Sequence, residues 1–179
     1  LIDKYNGGWG WYALIIASCQ RGAGINRKDI DMGLDMYLNA RSSVGAYDDT
    51  AQMELEKVPF IAATGMRVTG ITYRAMYWRK ANAIHKWFVD NVQDGVDNCE
   101  EFHVSPQHLQ LLRDTCQQVL DNREKAGELL PPSAGFFFGT TDITEYYFDD
   151  LRDTVEGLDR ALALAQRDSW VTFTYQSSW

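Results

Sequence analysis

The chain predicts an α+β domain, with about three helices packed on one face of a small antiparallel sheet. Apolar residues alternate over 34–38 and 171–175, as in half-buried strands, and recur at intervals of three and four over 81–92 and 147–162, as in helices. The two kinds of segment do not alternate strictly, which argues against a parallel α/β fold. With 179 residues, 45% of them hydrophobic, the chain can bury one core.

The first 31 residues read as an atypical N-terminal extension and 32–179 as a single α+β domain starting at Met32. Within the extension, the apolar run "WGWYALIIASC" from Trp9 to Cys19 is about half of the ~20 residues that a membrane-spanning helix needs. It ends in a lipoprotein-like box at residues 16–19, but no basic segment precedes it.

In "MGLDMYLNARSS", Leu34, Met36 and Leu38 alternate and predict a short half-buried strand. Residues 42–50, with Gly45, Asp48 and Asp49, read as a loop. The β-branched and aromatic residues of "RVTGITYRAMYW" predict a second strand over 67–78, with Gly70 marking a bulge. The period then changes: Trp78, Ala81, His85, Phe88 and Val92 form the stripe of a helix whose first turn contains Arg79 and Lys80.

Residues 94–101 form an acidic loop, after which Ser105 caps and Pro106 opens a second helix with Leu109, Leu112, Cys116, Val119 and Leu120 on its dry face. Leu130, Pro131 and Pro132 end that segment. In "GFFFG" the glycines permit tight turns around a buried aromatic run. Thr141 or Asp142 then caps a third helix, with Glu145 completing a capping box. Its stripe is Tyr147, Phe148, Leu151, Val155, Leu158 and Leu162. A last strand alternates Val171, Phe173 and Tyr175 with Thr172, Thr174 and Gln176.

Through "DMGLDMYLNARSS", "YWRKANAIHKWFVDNVQDG", "SAGFFFG", "YYFDDLRDT" and the terminal "YQSSW", the chain resembles a family of small uncharacterised proteins encoded by phages and prophages. The resemblance covers about 32–179, and the "YWRKANAIHKWF" and "GFFFG" blocks are its most specific parts. It implies a phage origin and a start at Met32. It implies no chemistry.

A formal net charge of −8 and a pI near 4.8 argue against a broad nucleic-acid footprint or an anionic membrane surface. Direct nucleic-acid binding and membrane association are therefore not expected, and the cytoplasm is the expected location. Cys19, Cys99 and Cys116 are an odd number without C-x-x-C spacing, which indicates neither a disulfide framework nor a zinc knuckle. His103, His108 and Cys99 lack a fourth ligand, so no metal and no cofactor are expected. G-x-S-x-G, H-E-x-x-H and a phosphate-binding glycine loop are missing, so the sequence leaves open whether the protein is an enzyme.

Charge order singles out one place. Between Lys57 and Asp90 there is no acidic residue, while Arg67, Arg74, Arg79, Lys80 and Lys86 all lie there. Basic residues in a first helical turn oppose the helix dipole, and an anion at that turn would relieve the conflict. Arg79, Asn82, His85 and Lys86 are thus the candidate ligand-binding residues at a strand-to-helix junction, with a small phosphorylated molecule as ligand. The blander alternative pairs Arg79, Lys80 and Lys86 with Asp149, Asp150 and Asp153 of the third helix and leaves His85 in the core. The leading functional expectation is then a phage accessory protein that binds a host or phage protein or other macromolecule without catalysis.

Overall fold

Alternation builds the sheet. In the computed structural model, which describes residues 33–45, 49–135 and 137–179, β1 (Asp35–Ser43) buries Met36, Leu38 and Ala40 and turns Asp35, Tyr37 and Asn39 to the opposite face. The extension, its apolar run and the start at Met32 lie outside the described residues. β1 pairs on one side with β2 (Gly70–Arg79) and on the other with β4 (Thr172–Ser178), while β3 (Phe102–Val104) flanks β4. The order β2-β1-β4-β3 is antiparallel throughout.

Two short helices, α1 (Asp49–Leu55) and α2 (Pro59–Ala62), connect β1 to β2. The main helices are α3 (Asn82–Asn91), α4 (Pro106–Asp121) and α6 (Glu145–Arg167), with a 3-10 turn at Arg123–Lys125 and α5 (Ala126–Leu129) after α4. The fold is α+β, as expected, with short helices added to the three main ones.

The helices close over the face of the sheet that carries Met36, Leu38, Trp78, Phe173 and Tyr175. Phe88 of α3 stacks on Tyr175 with ring centres 3.9 Å apart, and the Trp78 indole N–H donates to the Thr154 hydroxyl of α6 at 2.8 Å. Leu109, Leu112, Leu151 and Leu158 are almost wholly buried, each contributing roughly 1.5–3 kcal/mol of apolar transfer. Cys116 lies among them, and burial pushes its thiol up to about 12.

Several boundaries differ from expectation. Residues 42 and 43 continue β1, and 49–55 are helical rather than loop. The irregularity between β1 and β2 falls at Leu38/Asn39, not at Gly70, which starts β2. Arg79 is the last residue of β2, held by pairing with Asp35, and Lys80 turns the chain with a φ of 59°. Neither residue therefore stands in the first turn of α3, and the expected conflict with the helix dipole disappears. α6 begins two or three residues later than a cap at Asp142 or Thr141 requires: Thr144 precedes it without a side-chain cap bond, and Asp142 instead bonds Thr140.

On the other face of the sheet Arg41, Tyr77 and Thr172 are exposed, and Tyr37, Asn39, Thr174 and Gln176 are half-buried. There the Tyr37 and Tyr77 rings lie 5.6 Å apart on neighbouring strands, and the Arg74 guanidinium sits 4.4 Å over Tyr37. Arg41, Asn39, Thr172, Thr174 and Gln176 share this face by strand parity. No helix among the described residues is long and apolar enough to cross a membrane.

Candidate functional site

Three distant segments meet where β2 ends. The Leu34 N–H donates to the Phe137 carbonyl at 3.1 Å, and the Lys80 N–H donates to the Leu34 carbonyl at 2.7 Å. A Cβ on Gly33 would approach Lys80 Cε to 2.8 Å, and one on Gly139 would meet Lys80 Cβ at 3.4 Å. The Lys80 side chain thus passes between two glycines, and Gly139, with a φ of 85°, needs the left-handed conformation as well.

Asn82 secures the junction from inside. Its amide nitrogen donates to the carbonyls of Phe138 at 3.0 Å and Thr140 at 2.8 Å, and its amide oxygen accepts from the Ser133 N–H at 3.2 Å. The first residue of α3 therefore clamps the segment holding "GFFFG" at both ends. Phe138 is buried against the His85 ring, with centres 5.0 Å apart.

This junction forms one wall of a cleft of about 320 Å³. Arg79, Lys80 and the opening turn of α3 line one side, and Asp142, Tyr146, Tyr147 and Asp150 line the other. Ala83 and Ile84 also line it, in the first turn of α3, where backbone N–H groups have no preceding helical carbonyl to meet. Arg79 is joined to Asp35 at 3.1 Å.

The acidic wall is not uniform. Burial first, then the neighbouring carboxylates of Asp153 and Asp149, push the Asp150 carboxyl up to about 6. Asp149 points away and pairs with Arg152 at 3.1 Å. Burial also raises the Tyr147 phenol, whose hydroxyl donates to the Leu130 carbonyl at 2.8 Å. A hydrogen-bond chain behind this wall ties α6 to β2: the Trp78 N–H meets the Thr154 hydroxyl, which donates to the Asp150 backbone carbonyl at 2.6 Å.

The four expected site residues separate. Arg79 and Asn82 line the cleft, whereas His85 and Lys86 do not. His85 is buried, with Nδ1 2.8 Å from the Tyr175 hydroxyl and Nε2 2.9 Å from Asp97 Oδ2. Lys86 pairs with Asp90 one helical turn on, at 2.5 Å. The expected pairing of Arg79 and Lys86 with the acids of the last helix is replaced by closer partners: Asp35 is adjacent through the β1–β2 ladder, and Asp90 through the helix repeat.

Compared with models of protein families, with curated proteins and with solved structures, the chain matches none.

Reading the sequence missed Asp142, Tyr146, Tyr147 and Asp150 as a facing wall. Its usable signal is Asp150 itself, three residues after Tyr147 and four before Thr154, an acid at the border of an apolar stripe. Among the described residues no group of three or more His, Cys, Asp or Glu side chains is placed to hold a metal.

Proposed function

We propose that the protein binds a small phosphorylated molecule in the cleft between the start of α3 and the first turns of α6. The observation that carries this is the bipolar lining: Arg79, Lys80 and the opening turn of α3 on one side, Asp142 and Asp150 on the other. Such a lining suits a ligand with a phosphate at one end and hydroxyl or amino donors at the other. Asp150, held near neutrality by its surroundings, accepts such a donor when ionised and donates when protonated.

A thermal-shift series tests this with nucleoside monophosphates and sugar phosphates, each beside its dephosphorylated counterpart. The melting temperature should rise with phosphorylated compounds alone, and Lys80→Gln should abolish the rise. If no phosphorylated compound shifts melting, or if the dephosphorylated partners shift it equally, the reading fails.

A second reading is a phage-encoded accessory protein of the host cytoplasm that acts on a host or phage macromolecule. It draws on the resemblance to phage proteins and on the acidic outer surface of α6, where Asp149, Asp153, Glu156 and Asp159 are exposed. Capture of a specific partner from infected cells by the parent, but not by a variant neutralised at Asp153 and Glu156, would favour it over the ligand reading.

A further inference from the structure

Among the described residues, the sheet face opposite the helices has a composition of its own. Arg41 and Arg74 lie on it, and at its end Arg79, which also borders the cleft, is paired with Asp35, the one acidic residue of β1, β2 and β4, in a chain of net charge −8. On the helices acids and bases are interleaved and paired, as in Arg113–Asp159 and Arg160–Glu156, whereas β1 and β2 carry Arg41 and Arg74 with no carboxylate paired to them across the ladder.

Its aromatic residues are placed as deliberately as its charges. Tyr37 and Tyr77 occupy directly paired positions of β1 and β2, and Tyr77, near the end of the edge strand, is 45% exposed. Leaving a large ring in water forgoes burial that the opposite face takes in full. The Arg74 guanidinium lies over Tyr37 and donates to Asn39 Oδ1 at 3.0 Å, so a planar cation extends the ring surface. Beside these, β4 presents Thr172, Thr174 and Gln176, whose side chains offer donors and acceptors.

We infer that this face binds single-stranded nucleic acid, with bases stacked on Tyr77 and on the Arg74 guanidinium that covers Tyr37, and phosphates met by Arg41. Charge complementarity selects an anionic partner. The paired rings select one with flat apolar faces, because base stacking on aromatic side chains serves every base alike. A duplex is disfavoured, since a broad pleated face has no helix or ribbon to enter a groove. An acidic peptide would use the arginines and leave the tyrosines without a role. The inference is independent of the cleft, and the residues tested below do not line it.

Fluorescence anisotropy tests it with a labelled oligothymidylate of about twelve nucleotides, a duplex of the same length and a polyglutamate peptide, at low and moderate salt. The single strand should bind at least about tenfold more tightly than either competitor. Tyr77→Ala should weaken it about tenfold or more, while Tyr77→Phe, which keeps the ring and loses the hydroxyl bond to Asp35, should bind like the parent. Arg41→Gln combined with Arg74→Gln should flatten the salt dependence. Melting curves for each variant establish that the sheet is intact. No binding at low salt overturns the inference, as does equal affinity for the duplex. Equal binding of polyglutamate reassigns the face to an acidic protein partner, and undiminished binding by folded Tyr77→Ala places the nucleic acid elsewhere.

Discussion

His85 and Tyr175 share a 2.8 Å hydrogen bond inside the core, between the imidazole Nδ1 and the phenol hydroxyl. Asp97 receives the other ring nitrogen at 2.9 Å, and its second oxygen accepts from the Trp179 indole at 3.0 Å. Burial, reinforced by Asp97 and Cys99, raises the phenol well above its ordinary range, so Tyr175 keeps its proton. For a neutral imidazole this fixes the tautomer: Nε2–H donates to Asp97, and Nδ1 accepts from Tyr175. The bonds tie α3, the loop after it and β4 together.

Tyr175→Phe should therefore destabilise the protein by about 1–3 kcal/mol, because His85 Nδ1 stays buried without its partner. Urea denaturation measures this. A variant as stable as the parent would mean that water or another group satisfies the ring, and that the bond to Tyr175 does not set its tautomer.

Asp150 gives the protein a pH signature. Its carboxyl holds its proton up to about 6, above the ordinary range, so the folded chain binds a proton that the unfolded chain has released. Stability then falls as pH rises through that window, and the penalty is fully present above it. Asp150→Asn should melt higher than the parent at about pH 8, with the difference closing near pH 4. A difference that persists in acid would assign the gain to packing instead.

Cys116 should be chemically silent in the folded state. With its thiol near 12 and its sulfur enclosed by the core, almost no thiolate is present to react at neutral pH. Peptide mapping after maleimide treatment should find Cys116 modified only in denaturant. Rapid labelling of native protein would reveal local opening between α4 and α6.

Leu151 lies at the centre of the α6 interface, and Leu151→Ala should cost about 2–5 kcal/mol. Calorimetry or chemical denaturation checks the figure. A loss below about 1 kcal/mol would indicate that the helices close readily over the vacated space.

The most local patterns were the most legible. The α6 stripe and the alternation of Phe173 and Tyr175 in β4 follow from spacing within one segment, and Ser105 caps α4 as its sequence implies, accepting from the His108 N–H. β3 is three residues long, too short to display a period. The end of β2 was misplaced because Arg79 is held extended by Asp35, 44 residues away, while its own segment continues a helical spacing. For the cleft, Arg79 and Asn82 were readable as a polar edge on a changing period. Asp150 was not, since the cleft it lines is closed by the end of β2 and the start of α3, some seventy residues earlier in the chain. The basic face was partly visible as a stretch without acids, but only strand pairing shows which of its side chains point together.

The position of β1 between β2 and β4 also orders events in time. Its partner β2 follows it closely, whereas the Thr172 hydroxyl that reaches the Arg41 carbonyl comes from 131 residues later. During synthesis β1 and β2 can pair while the opposite edge of β1 waits, with its N–H and C=O groups unmatched, until the final strand leaves the ribosome. A truncated or stalled chain would thus present a bare strand edge inside an otherwise formed half-sheet, a template for pairing with a neighbouring chain.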